Sequence, residues 1–145
     1  MPQKKKLKIN KLHEDAVLPF YAKFGDAGMD LHSIEEIELM PGRRALVRTG
    51  LAMELPKNYE AQIRPRSGLS IKKGLTVLNS PGTVDSGFRG EVCVILANLG
   101  EETYLVNKGE RIAQMVINKF ESVEIEEVEH LSDTERGSGG FGSTG

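Results

Sequence analysis

The chain has 145 residues, 39% of them hydrophobic and 28% charged, with a net charge of -2. That length suits one domain with a real core, and the composition is that of a folded chain rather than a disordered one. The slight negative balance excludes a general nucleic-acid binder, which needs a basic footprint.

From the N-terminus, Lys4-Lys5-Lys6 reads as a solvated arm. No apolar h-region follows it, so no signal peptide is expected. No stretch approaches the roughly 20 apolar residues of a membrane span. Short period-two runs then set the rhythm. "LKINKL" alternates Leu7 and Ile9 with Lys8 and Asn10, and a strand begins around "AGMDL". Similar runs fall at Ile37–Met40 and Arg44–Thr49. "YEAQIRP" alternates Tyr59, Ala61 and Ile63 with Glu60, Gln62 and Arg64. Further runs lie at Leu75–Leu78, Glu91–Leu96, Thr103–Val106 and Ile112–Ile117, and "SVEIEEV" alternates Val123 and Ile125 with glutamates. Strands of this length and spacing, cut by Gly and Pro, predict an all-β barrel or sandwich.

One short helix is expected in "SGLSIKKG", capped at its start by Ser67 or Ser70 and ended by Gly74 at C′. The lone cysteine, Cys93, excludes an internal disulfide and suits a reducing cytoplasm; within "EVCVILANL" it reads as a buried structural thiol. From about Leu131 the composition turns polar and glycine-rich. The expected organisation is therefore a β core over residues 1–131 and an arm over 132–145. Five of the last nine residues are glycine. That ending is either a disordered terminus or a mobile arm closing over something anionic and flat.

Familiar chemistries fail in turn. The terminal G-x-G-x-x-G has no room for a following helix and strand, so it is not a dinucleotide fingerprint. "GSGGFGST" lacks the lysine of a phosphate loop. One cysteine and three separated histidines (His13, His32, His130) make no zinc cluster. The zinc deaminase signature and a G-x-S-x-G elbow are absent. What remains is polar residues in loops between strands: Asp30 in "AGMDL"; Arg64, Arg66 and Ser67 in "RPRSGLS"; Asp85, Phe88, Arg89 and Glu91 in "GTVDSGFRGE"; and Gln114 in "GERIAQM". Two guanidinium forks and a hydroxyl at a helix start can hold phosphate. Arg111 reads as structural. Arg136, Phe141, Ser143 and Thr144 complete an inventory for phosphate, metal, base and ring recognition.

Taken in order, "AGMDL", "RPRSGLSIKKG", "NSPGTVDSGFRGE", "GERIAQMV" and "RGSGGFGSTG" resemble the five motifs of the homotrimeric all-β deoxyuridine triphosphatases (dUTPases). They span positions 27 to 145. The resemblance implies a jelly-roll-like β-barrel with a flexible glycine-rich C-terminal arm. It also implies a homotrimer with three shared active sites, while charge, hydropathy and the lone cysteine predict a cytoplasmic protein binding neither nucleic acid nor membrane. The first, second and fourth motifs would come from one chain, the third from a neighbour and the arm from the remaining one.

The implied reaction is hydrolysis of dUTP to dUMP and pyrophosphate, which keeps uracil out of DNA and supplies dUMP for thymidylate synthesis. Asp85 would be the general base, with Gln114 and Arg136 supporting the phosphates or water. Mg2+ would gather the triphosphate, held by Asp30 through coordinated water. Arg66, Ser67 and Gly68 would cradle phosphates. Asn79, Thr83, Val84 and Asp85 would read the uracil edge within a hairpin running to Cys93, and Phe88 would pack under the sugar. Phe141 would stack on uracil, with Arg136, Gly142, Ser143 and Thr144 closing over the outer phosphates. The sequence carries Phe88 where many relatives have Tyr, and Gly87 where an acidic residue is common. A catalytically silent nucleotide-binding trimer and a dCTP deaminase-like relative are the alternatives.

Overall fold

The computed structural model describes residues 4–143. Its strands, in chain order, are β1 (Lys8–Lys11), β2 (Gly28–His32), β3 (Ile37–Leu39), β4 (Arg44–Glu54) and β5 (Tyr59–Arg64). After the helix α1 (Ser67–Lys73) come β6 (Leu75–Val77), β7 (Gly82–Val84), β8 (Glu91–Asn98), β9 (Tyr104–Val106) and β10 (Arg111–Lys119). Two four-stranded sheets, ordered β1-β4-β8-β6 and β2-β10-β5-β7, carry the fold, with β3-β9 as a small third sheet. Every pairing is antiparallel. This is the expected all-β, jelly-roll-like architecture. Among the described residues no helix is long and apolar enough to cross a membrane.

The alternation read from the sequence becomes a core because successive side chains point to opposite faces. Ala61 and Ile63 of β5 face inward beside Met115 of β10, in one core cluster with Val47, Leu51, Val94 and Leu96 from the other sheet. β4 outruns its expected end at Thr49 because Gly50 does not break it. At φ +70° this glycine forms a bulge, where the β4–β8 register shifts between Arg48 and Leu51. Its N–H donates to Glu91 Oε2 at 2.9 Å and buried Thr49 donates to the Val92 carbonyl, so the break leaves both groups satisfied.

Two expectations fail here. α1 begins after Arg66, whose extended backbone (φ -89°, ψ 129°) makes it the N-cap without a side-chain capping bond. Ser67 is the first helical residue, and Ser70 donates instead to the Leu75 carbonyl at 2.8 Å, tying the helix to β6. Gly74 does close the helix in the left-handed region at φ 71°. "SVEIEEV" forms no strand: β10 ends at Lys119, and Val123 and Ile125 are 75% and 85% exposed. Alternation makes a strand only where a partner edge accepts it, and nothing within the described chain pairs with this segment.

Candidate active site

The centre of the second sheet brings three motifs together. Gln114 on β10 lies opposite Asp30 on β2 and opposite Arg64 on β5. Directly cross-strand side chains share a face, so the three project on one side. Arg66, just beyond β5, reaches back across that face and donates from Nε to Asp30 Oδ1 at 3.1 Å. Arg111 Nη1 lies 3.6 Å from Asp30 Oδ2. The Asp30 carboxylate, 29% exposed, thus meets a guanidinium at each oxygen.

Gln114 donates from Nε2 to the Pro65 carbonyl at 2.9 Å, which fixes its amide over the turn that launches Arg66. Gly28 makes room for it, since a Cβ there would run into Gln114 Oε1. His32 continues the same face two residues past Asp30, with Nδ1 buried and without a hydrogen-bond partner among the described residues. Burial holds its imidazole below the ordinary value; Asp30 opposes that shift, and Arg111 and Arg66 reinforce it. Gly28, Asp30, His32, Arg111, Gln114 and Phe20 line a cavity of about 370 Å3.

The third motif builds a separate cavity. β7 pairs with β5 through Ala61↔Val84, Gln62↔Thr83 and Ile63↔Gly82. Between β7 and β8 lies a cavity of about 210 Å3, walled by Asn79, Gly82, Thr83, Val84, Phe88 and Cys93 over an apolar floor that includes Ile63 and Val94. The loop between these strands turns at Asp85, where Phe88 N donates to the Asp85 carbonyl at 3.1 Å. Asp85 itself is exposed. Phe88 is 46% exposed and lies over Gly90, where a Cβ would stand 2.7 Å from its ring. Cys93 is half-buried at the cavity wall rather than buried as a structural thiol. Burial, with Glu91 nearby, pushes its pKa above the ordinary thiol value.

The arm folds on itself in tight turns. Gly137 N donates to Thr134 Oγ1 at 3.0 Å, Arg136 Nε to the Gly139 carbonyl at 2.8 Å, and Ser143 N to the Gly140 carbonyl at 3.0 Å. Phe141 takes a positive φ of 53° and its ring is fully exposed. Gly142 beside it is also left-handed, at φ 81°. Thr144 lies outside the described residues.

The structure therefore brings Asp30, Arg66 and Gln114 together, and groups Asn79, Thr83, Val84, Phe88 and Cys93 elsewhere. Ser67 and Gly68 stand exposed on the first turn of α1. The two cavities share no lining residue, and Arg136, Phe141, Gly142 and Ser143 line neither. Arg64 is not a free phosphate fork: its Nη2 donates to Gln62 Oε1 at 2.7 Å. Arg111, read from the sequence as structural, pairs with Asp30 and lines the same cavity, and His32 enters unannounced. Spacing could have found His32, two residues after Asp30 on the same strand face; Arg111, three before Gln114, reaches that face only through the register shift between Arg111 and Ala113. Among the described residues no group of three or more His, Cys, Asp or Glu side chains is placed to hold a metal ion.

The family model described as dUTPase matches residues 14–145. A deoxyuridine 5'-triphosphate nucleotidohydrolase from Gloeothece citriformis is 60% identical over 140 residues, covering 97% of this chain and 97% of that protein. Among solved structures, a Staphylococcus bacteriophage 80alpha dUTPase variant with dUpNHpp superposes with a TM-score of 0.87 at 30% identity, covering 97% of this chain and 98% of that one. A dUTPase variant from phage phi11 of S. aureus, solved for the coordination of a structural Mg(II) ion, gives 0.83 at 26% identity over 88% of this chain and 99% of that one. The chain belongs to the dUTPase family.

Proposed function

We propose that this member of the dUTPase family hydrolyses dUTP to dUMP and pyrophosphate in a homotrimer whose active sites are shared between chains. The observation that carries the reading is the split just described. Residues of the first, second and fourth motifs converge on Asp30, while those of the third form their own cavity. Two half-sites without a common wall are what a site assembled from several copies requires. Exposed Val123, Ile125, Val128 and Leu131 are apolar surface that neighbouring copies would cover.

Within such a site Asp85 is the general base. Its exposed carboxylate sits on the turn beside the cavity that takes the nucleoside, so it can accept a proton from the water that attacks the α-phosphorus. The small cavity admits uracil against Asn79 and the backbone of Thr83, Val84 and Asp85, with Cys93 on its wall. A 5-methyl group is refused sterically, and cytosine's amino group by mismatched hydrogen bonding. Phe88, lying over Gly90, takes the sugar face and leaves no room for a 2'-hydroxyl.

Arg66, Ser67 and Gly68 bind the phosphates, with free N–H groups in the first turn of α1 behind them. Gln114, fixed on Pro65, orients the phosphate and water. The donor set fits Mg2+ carried by the nucleotide: among the described residues no cluster of protein ligands competes for it, and Asp30, already bridged to Arg66, suits contact through coordinated water. When bound, the ion offsets the triphosphate charge that repels a nucleophile. The arm closes last, Phe141 on the base and Arg136, Gly142, Ser143 and Thr144 on the phosphates, exchanging its internal turns for ligand contacts.

The test is pyrophosphate release from dUTP with Mg2+, beside dTTP, dCTP, UTP and an EDTA control, for the parent chain and Asp85→Asn. Release from dUTP alone, lost with EDTA and with Asp85→Asn, is expected. Tight dUTP binding without release would establish a silent binder instead, and turnover by Asp85→Asn would remove Asp85 from its role.

A further inference from the structure

The Asp85 turn has little packing to hold it. It leaves β7 at Val84, its only internal backbone bond runs from Phe88 N to the Asp85 carbonyl, and nothing lies within 4 Å of a Cβ built at Gly87. Glycines at 87 and 90 leave the backbone free to sample other conformations. One side chain ties it down. Arg89 donates from Nη1 to the Ser86 carbonyl at 2.7 Å and to the Phe88 carbonyl at 3.3 Å, so its guanidinium spans the turn.

The opposite edge of that guanidinium meets the end of β4, where Arg89 Nη2 stands 3.4 Å from Glu54 Oε1. Lys8, opposite Glu54 on β1, holds the other carboxylate oxygen at 3.1 Å. Glu54 is therefore fixed by the β1–β4 pairing and fixes Arg89 in turn. The base of the same hairpin is anchored independently, because Glu91 accepts from Gly50 N at 2.9 Å and from Arg48 Nε at 3.1 Å.

We propose that Glu54 is a positioning residue for the Asp85 turn, acting through the Arg89 guanidinium that links it to the Ser86 carbonyl. The inference rests on the reading of Asp85 as general base. Both side chains are about half exposed, at 46% and 54%, so the pair contributes little to folding. Its consequence is geometric. A guanidinium fork held at one edge by a carboxylate leaves its other N–H groups aimed at fixed points, here the two carbonyls of the turn. Without Glu54, Arg89 is free to swing into solvent, and Asp85 loses its fixed placement against the attacking water. Arg89 touches neither cavity, so it is not assigned to the nucleotide.

The experiment compares Glu54→Ala, Arg89→Met, Arg89→Lys and the Glu54→Ala/Arg89→Met double variant of the full chain, with Asp85→Asn in parallel. Melting temperature, kcat and KM for dUTP are read for each. Misplacing a catalytic group by a fraction of an ångström lowers turnover, so kcat should fall about 10-fold in both Glu54→Ala and Arg89→Met, with KM nearly unchanged and melting nearly unchanged. The double variant should be no worse than Arg89→Met, because the two side chains act as one unit. Arg89→Lys should stay low, since an ammonium cannot span two carbonyls and a carboxylate as a fork does. Unchanged kcat in the single variants would overturn the proposal, as would losses that multiply in the double variant. A rise in KM alone would overturn it too, by making Arg89 a nucleotide contact. If Asp85→Asn itself turns over, the base assignment fails, whatever Arg89 does.

Discussion

Gly28→Ala tests the phosphate side of the site through a single methyl group. The new Cβ would collide with Gln114 Oε1 and stand 3.4 Å from Gln114 Cδ and 3.5 Å from Gln114 Cβ, so the amide has to rotate away. That rotation breaks the 2.9 Å bond from Gln114 Nε2 to the Pro65 carbonyl, a net loss of about 1 kcal/mol. Replacing glycine by alanine restores about 0.5 kcal/mol by restricting the unfolded chain. The fold should therefore survive with a melting temperature lower by only about 2 °C. Turnover should suffer far more, because Gln114 then leaves the face it shares with Asp30, and a displacement of about 1 Å can cost ~100-fold. The assay pairs a thermal melt with kcat/KM for dUTP, in the parent and in a Gln114→Ala background. Gly28→Ala should add nothing further once Gln114 is gone. Parent-like kcat/KM, or an equal loss in both backgrounds, would refute the steric reasoning.

Deleting Phe141–Gly145 should leave melting unchanged, since the Phe141 ring contacts no core, yet reduce kcat/KM by about 100-fold by leaving the site open; unchanged kcat/KM would dismiss the arm. Leu96→Ala removes a side chain that is 1% exposed and should cost about 3 kcal/mol in a denaturant titration. The Tyr104 phenol is pushed up to about 12 by burial and by its hydrogen bond to Glu110. The folded state thus holds this proton more tightly than the unfolded one, so the group's contribution is complete below pH 10 and is lost as pH rises toward 12. Ultraviolet titration should show one of the three tyrosines ionising late, and Tyr104→Phe should remove that late step.

What the sequence revealed and what it hid follow from the range of the interactions involved. β5 and β10 were legible because each buries one face, so Ala61, Ile63 and Met115 stand out against Gln62, Arg64 and Gln114. β7 was not, being three residues of "GTV" among turn formers, strand-like only because β5 offers it an edge. The second half of β4 was hidden by Gly50, whose bulge is satisfied by Glu91, 41 positions away. Arg111 read as structural because nothing local says that the register shift between Arg111 and Ala113 accompanies an arginine paired with Asp30. Arg64 read as a phosphate ligand because its bond to Gln62, two residues back on the same strand face, depends on rotamer choice. "SVEIEEV" has the alternation of a strand but pairs with nothing among the described residues, because alternation supplies a face and not a partner edge.

On the proposed function, the Asp30 cluster readies the phosphate residues before a ligand arrives. Two arginines on a surface face would ordinarily hold their guanidiniums in many rotamers, and binding a polyanion would then carry the full ordering cost. Here Asp30 takes Arg66 at 3.1 Å and lies 3.6 Å from Arg111, with Arg66 and Asp30 both less than a third exposed. The ordering has already occurred during folding. Such a pair is weak enough to exchange, because partial solvation keeps ion pairs of this kind near 1 kcal/mol or below. On the proposed function, a triphosphate would take over Arg66 and leave Asp30 to Arg111 and to the water shell of a cation that the nucleotide carries. Burial lowers the His32 pKa against the opposing pull of Asp30, and the two arginines beside it add to the lowering, so this face disfavours a third positive charge. A third cation there would compete for the single carboxylate. The same reading predicts that Mg2+ binds weakly without nucleotide, since Asp30 is already paired with two arginines; calorimetric titration of Mg2+ with and without a non-hydrolysable dUTP analogue checks it.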